Sequence, residues 1–198
     1  MSNIFVYGDS HANYNFKNLN CYNYHENSIT MHRIGRDNMI IRFDNRMHNN
    51  DSIIIICYGE VDCRCHIQRQ IELGREEDTI ITELVNGYFN TMKNNIIVCK
   101  KVIVCAIVPP MNKAKFEEVH EPITHEFPFL GSDTSRVRYT QKMNKLIQQK
   151  CAEYDYIYFD PYEKYTDDEG CLNYELSDTI CHIKENSFVL QDLEALIH

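Results

Sequence analysis

The stretch VYGDSH, Val6-Tyr7-Gly8-Asp9-Ser10-His11, decides how the rest of the chain is read. A short apolar run, Ile4 to Tyr7, stops abruptly at Gly-Asp-Ser-His. An apolar run closing on such a turn reads as a strand handing over to a helix. Ser and Asp are both good helix caps, which gives Ser10 a purely structural role. The same turn also presents a hydroxyl at the carboxyl end of a strand, where a nucleophile would stand.

The pattern downstream alternates strand and helix. Continuous apolar runs at 51–59 (DSIIIICYG) and 100–110 (KKVIVCAIVPP) read as strands buried on both faces, the second closed by Pro109 and Pro110. A shorter strand is expected in 156–165 (YIYFDPYEKY), leaving through Asp160-Pro161. Helical stripes occupy 76–95, with Ile80, Ile81, Leu84, Val85, Tyr88, Phe89 and Met92, and 134–154, with Val137, Met143, Leu146, Ile147 and Cys151. A further helix is expected over 35–48, with Met39, Ile40, Phe43 and Met47 near one face, and a last one over 187–198, capped by Ser187. Residues 111–133 carry Pro122, Pro128 and Gly131 without a steady period and read as a long loop; 166–186 is turn-rich and irregular.

This order implies one α/β domain over 1–198, a three-layer α/β/α sandwich around a mostly parallel sheet. In open sheets of this kind ligands sit beyond the carboxyl ends of the strands. Those ends are GDSH at 8–11, GEVDCRCH at 59–66, PPMN at 109–112 and DPYEKY at 160–165. Three of the four carry side chains capable of chemistry, company that a capping serine does not need.

The composition narrows the setting. The 198 residues are 43% hydrophobic and 25% charged, ordinary for a soluble globular protein, and the net charge of −9 argues against a nucleic-acid partner. Nine scattered cysteines, several inside apolar runs, fit a reducing, cytoplasmic compartment. No leader is expected before the strand entered at Asn3, and no apolar run is long enough for a bilayer, so no membrane partner is expected. Abundant Asn and Ile with no Trp is the bias expected of an AT-rich genome, such as that of a large DNA virus or of some parasites.

A nucleophilic serine needs a base, and the base an orienting acid. Near the C-terminus, in LSDTICHIKEN, Asp178 and His182 are separated by three residues in the irregular segment before the last helix. A loop returning over the sheet brings both to Ser10. By themselves they read equally as a turn former and a surface histidine; with GDSH they form a set.

GDSH near the start, GEVDCR after a buried strand and SDTICHI near the end together resemble the SGNH (GDSL-type) hydrolases, with VPP closing the third strand and SRVRYTQKMN opening the next helix. The third block is similar to that of the branch reading Gly-Glu-hydrophobic-Asp-Cys-Arg. The resemblance implies an SGNH-hydrolase, flavodoxin-like fold, with Ser10 as nucleophile, His182 as general base and Asp178 as its partner. It implies an oxyanion-stabilising glycine N–H, for which Gly35 is the nearest match. The third block of the wider superfamily is Gly-x-Asn-Asp, with the Asn side chain as an oxyanion donor. Here it is Gly59-Glu60-Val61-Asp62, so Val61 stands at the Asn position. Losing one such donor typically costs on the order of 10²–10³ in kcat. Arg64 is a candidate replacement, since a guanidinium offers several fixed donors; the alternative is an ion pair with Asp62 or Glu60.

Other chemistries are weaker. Cys63, Cys65 and His66 in CRCH are zinc-type ligands at a spacing too tight for the usual pattern, so no metal or other cofactor is expected. Glu60 and Asp62 are a carboxylate pair of the kind glycosidases use, but carboxylates so close in sequence more often serve as a cap and an ion-pair partner. His120, His125, Phe127 and Phe129 in the long loop read as an acceptor subsite or lid, or as an ordinary surface loop or dimer contact. The expected function is a serine esterase or O-acyltransferase; the resemblance to the SGNH hydrolases implies O-acyl, above all O-acetyl, groups of a carbohydrate as its substrate. Its partners would be a small-molecule or glycan ester and, for a transferase, an acyl donor. The alternative is a non-catalytic glycan- or protein-binding module on the same scaffold.

Overall fold

The computed structural model describes residues 3–40, 42–124 and 126–197. Five strands form one sheet in the order β2-β1-β3-β4-β5, and every pairing is parallel. The strands are β1 (Ile4–Gly8), β2 (Tyr22–His25), β3 (Asn49–Cys57), β4 (Cys99–Cys105) and β5 (Ile157–Phe159). This is the flavodoxin-type order, whose switch point falls between β1 and β3.

The helices are α1 (Ser10–Asn15), α2 (Met31–Asp37), α3 (Ile67–Glu72), α4 (Glu77–Asn95), α5 (Lys113–Glu117), α6 (Asp133–Tyr154) and α7 (Ser187–Ile197). They cover both faces. Alternate residues of β3 feed two separate cores: Ile54 and Ile56 pack with Ile34 of α2, Phe89 of α4 and Met143 of α6. Ile53 and Ile55 pack with Ala12 of α1 and with Val189 and Leu193 of α7. The three-layer α/β/α sandwich is therefore present, and the run of four isoleucines is its centre.

The helix expected over 35–48 is displaced. Thr30 caps α2, its side chain accepting from Arg33 N–H, and Asn38 ends it in the left-handed conformation at φ 50°. A helix beginning at Met31 buries Met31 and Ile34, whereas Met39 and Phe43 lie exposed beyond its end. Strand β2 carries no apolar run, since YNYH alternates aromatic with polar residues along an edge; Tyr22 and Tyr24 stack on Phe5 and Tyr7. The long loop holds one short helix, α5. The start of α7 is held by the Glu185 carboxylate, which accepts from the Ser187 N–H and hydroxyl, rather than by Ser187 itself.

Candidate active site

Strand β1 delivers Ser10 to the start of α1 through a turn with no spare space. A Cβ on Gly8 would lie 2.4 Å from Ala12 Cβ and 2.6 Å from the Cys57 carbonyl oxygen, so only glycine lets α1 leave so close to β3. Asp9, not Ser10, caps the helix: its carboxylate accepts from His11 N–H at 2.9 Å. The Ser10 hydroxyl is thereby free.

It meets His182. Ser10 Oγ and His182 Nε2 are hydrogen-bonded at 2.9 Å, and His182 Nδ1 lies 2.7 Å from Asp178 Oδ2. The loop explains why three residues separate acid and base. Asp178 Oδ1 accepts from the N–H groups of Ile180, Cys181 and His182 at 2.9, 3.0 and 2.9 Å. Asp178 N–H donates to the His182 carbonyl at 2.9 Å, and Ser177 bridges Ile183 beyond it. Thr179, with φ 67°, absorbs the turn. Tyr14 of α1 stacks flat on the His182 ring at 4.0 Å, so the helix that presents the serine also fixes the plane of the imidazole.

The electrostatics follow from these contacts. Burial pushes the Asp178 carboxyl up, but hydrogen bonds from the His182 ring and from backbone N–H groups outweigh it and hold it at about 2. Burial pulls His182 down, but the Asp178 carboxylate and the neighbouring Cys181 sulfur outweigh it and raise it to about 9.

The remaining sequence candidates are placed elsewhere. Gly35 lies within α2, where a Cβ would come 3.1 Å from the Gly87 backbone of α4; it is the small residue of a helix crossing and is not brought to Ser10. Asp62, fully buried, accepts from Met31 and His32 N–H at 2.6 and 3.1 Å and so anchors the start of α2. Burial raises its carboxyl to about 7 against those two hydrogen bonds. Arg64 pairs with Glu60 at 3.3 Å rather than with Asp62, and its guanidinium lies over the Phe129 ring at 5.6 Å. Glu60 and Arg64 are still incompletely satisfied: among the described residues neither Glu60 oxygen nor Arg64 Nε has a hydrogen-bond partner. Glu60 and Asp62 thus serve as an ion-pair partner and a cap, and not as a catalytic carboxylate pair.

Val61 is buried, and its carbonyl accepts from the Cys65 thiol at 3.3 Å. Cys63 lies in the core, while His66 stacks on His32 at 4.4 Å, so CRCH does not converge on one point. In the long loop, His120 Nε2 and Thr179 Oγ1 are hydrogen-bonded at 3.0 Å, which ties this loop to the turn carrying His182. Phe129 is buried against Phe116 rather than exposed, and His125 lies outside the described residues. No local pattern in the sequence marks a role for His11, Cys181 or Tyr14. Among the described residues no helix is long and apolar enough to cross a membrane.

No protein-family model matches the sequence, and no curated protein does. Solved structures do match in shape. A putative platelet activating factor from Streptococcus pneumonia superposes with a TM-score of 0.66 at 13% identity, covering 100% of this chain and 84% of that one. A GDSL-like lipase from Bacteroides thetaiotaomicron superposes with a TM-score of 0.55 at 14% identity, covering 99% of this chain and 85% of that one. The fold is that of the GDSL-type, SGNH proteins. It is not confined to chains described as lipases: the OSK domain of Drosophila Oskar superposes with a TM-score of 0.60 at 13% identity, over 96% of this chain and 86% of that one. On this SGNH fold, function has to be argued from the site.

Proposed function

We propose that the protein is a serine ester hydrolase or O-acyltransferase, with Ser10 as nucleophile, His182 as general base and Asp178 as the acid that orients it. The observation that carries this reading is the unbroken hydrogen-bond chain from Ser10 Oγ through His182 to Asp178, at 2.9 and 2.7 Å. A capping serine has no use for an imidazole locked by a carboxylate whose other oxygen is filled by three backbone N–H groups.

In the proposed reaction His182 Nε2 takes the Ser10 hydroxyl proton as Oγ attacks the ester carbonyl carbon. The imidazolium then returns that proton to the departing alkoxide, leaving an acyl-serine. Water, or a sugar hydroxyl, repeats the sequence and frees Ser10. The Ser10 N–H is a donor for the developing oxyanion. Arg64, with Nε unbonded, is the side chain proposed to stand in for the donor that Val61 lacks. O-acetyl groups of a carbohydrate are the proposed substrate class, by likeness of fold and motif. Hydrolase and transferase differ only in whether the acceptor site excludes water.

The test is hydrolysis of a short-chain aryl acetate by the native protein and by Ser10→Ala. The substitution is expected to cost at least about 10³-fold in kcat/KM. A fluorophosphonate should label Ser10 in the native protein alone. Equal rates overturn the serine mechanism. No turnover and no labelling favour the binding module, a reading supported by the buried Val61 and by the engagement of Arg64 with Glu60.

A further inference from the structure

His11 and Cys181 stand beside the Ser10–His182–Asp178 chain, and the proposed reaction uses neither. His11 Nδ1 meets Asp9 Oδ1 at 3.0 Å and its Nε2 the Cys181 carbonyl at 3.1 Å. His182 is held in the same way, with Nδ1 on Asp178. Two imidazoles, 4.8 Å apart between ring centroids, are thus each fixed through Nδ1 by a carboxylate; His11 turns Nε2 to the Cys181 carbonyl and His182 turns its own to Ser10, with the Cys181 sulfur beside the His182 ring. The Cys181 sulfur lies 3.7 Å from His182 Nε2. Ligand atoms of His11, Cys181 and His182 all fall within 4.8 Å of one another, and all three residues are buried.

A carboxylate behind each histidine is how proteins orient imidazoles toward a metal. Two imidazole nitrogens and a thiolate are a donor set suited to zinc, and three protein ligands leave a fourth position open. With Zn–N near 2.0 Å and Zn–S near 2.3 Å, a tetrahedral ion holds its ligands on the order of 3.5 Å apart. The cluster reaches that spacing by modest closure. The sulfur stands almost equally far from both His182 ring nitrogens, 3.7 and 3.9 Å, so closure turns this ring away from Ser10.

We propose that His11, Cys181 and His182 form a binding site for a thiophilic divalent cation of the zinc type, which draws His182 Nε2 off Ser10 and reversibly arrests hydrolysis. Binding releases to solvent the thiol proton of Cys181, the Nε2 proton that His11 gives to the Cys181 carbonyl and, where His182 is protonated, its Nε2 proton as well. Ser10 is partly exposed, so the ion arrives from the side an ester would use. The arrest of hydrolysis rests on the esterase reading; the site does not.

Cobalt(II) is the probe, added to native protein stripped with a chelator and kept reduced. One ion per chain should give the near-ultraviolet band of a thiolate–cobalt bond, and zinc should displace it. Cys181→Ser should lose the band and at least tenfold in affinity. Asp9→Asn, which leaves every ligand in place but loosens His11, should weaken binding by about 10–100-fold. Cys65→Ser, in the neighbouring CRCH stretch, should keep the band, with circular dichroism checking each variant's fold. In parallel, zinc should suppress aryl acetate hydrolysis and a chelator restore it. No band in the native protein, or a band surviving in folded Cys181→Ser, overturns the site. Cobalt bound through Cys181 in a protein that never hydrolyses esters upholds the site and overturns the esterase reading with its arrest.

Discussion

His11 and His182, beyond the carboxyl end of β1, stand 4.8 Å apart ring to ring; His32 and His66, between α2 and the segment after β3, stand 4.4 Å apart. The two pairs are nearly equal in spacing and opposite in charge preference. Around His11 and His182, burial opposes protonation, but Asp9 and Asp178 override it. His11 is raised well above its ordinary value and His182 to about 9. Both His11 ring nitrogens face acceptors, a carboxylate and a carbonyl, as a cation requires. Around His32 and His66 no carboxylate among the described residues takes a ring nitrogen. Burial comes first, and then Arg36 and Arg75 for His32, and His32, Arg69 and Arg75 for His66; His66 falls to about 4. The partner at Nδ1, and not burial, decides what a histidine is here.

The first way to break this contrast is to remove that partner. Asp178→Asn leaves the loop geometry nearly intact but presents an amide where Nδ1 needs a carboxylate. Aryl acetate kcat should fall by about 10⁴-fold, the scale on which a wrong tautomer acts in such a triad. A loss below tenfold would show that Asp178 is only a turn former.

The charge preference itself gives the next effect. Below about pH 9 His182 carries a proton and accepts none from Ser10. With a chelator present, kcat/KM should therefore climb by about tenfold per pH unit through neutrality and level near 9. A flat profile from pH 6 to about 9 would mean a neutral His182 and break the contrast. Stability runs the other way. The His182 contribution is whole below its unfolded value of about 6.5 and is lost as pH rises through 9, while that of Asp178 is whole above about 3.8 and is lost as pH falls through 2.

The sequence shows one member of each relation more readily than both. The isoleucine run of β3 and the Gly-Asp-Ser turn are legible because burial on both faces and a strand–helix turn each leave a local pattern. Ser10, Asp178 and His182 are legible because they fall at strand ends and loops. Asp9–His11 is not, since its meaning depends on Cys181, which lies 170 residues from His11. Edge strand β2 has no apolar run to betray it. A motif match points to Gly35 for the oxyanion role because it does not show which helix a glycine faces; only the packing reveals Gly87 opposite it.

That packing gives a third prediction. Gly35 and Gly87 line a cavity of about 220 Å³ together with His32 and His66, away from Ser10. In Gly35→Ala the new methyl meets the Gly87 backbone, and overpacking of this kind costs about 1–3 kcal/mol. The Tm should drop by roughly 2–12 °C, with kcat of the folded fraction unchanged. A large fall in kcat at unchanged Tm would return Gly35 to the oxyanion site.

The smallest effect belongs to His66. Its folded value of about 4 lies below the unfolded value of about 6.5, so the unfolded chain takes up a proton that the folded chain refuses. The stability from this group is whole above about pH 6.5 and is lost as pH falls toward 4. His66→Gln keeps a polar side chain without the titration, and should flatten the acid side of the Tm profile by about 2 °C or less. Because His66 is only half-buried, its burial penalty is partial and solvent screens much of the arginine repulsion, which keeps the effect small. The same substitution at His182 would abolish turnover and leave this acid limb in place. If His66→Gln instead steepened the acid limb, His66 would be gaining a proton on folding, and the two histidine pairs would be alike after all.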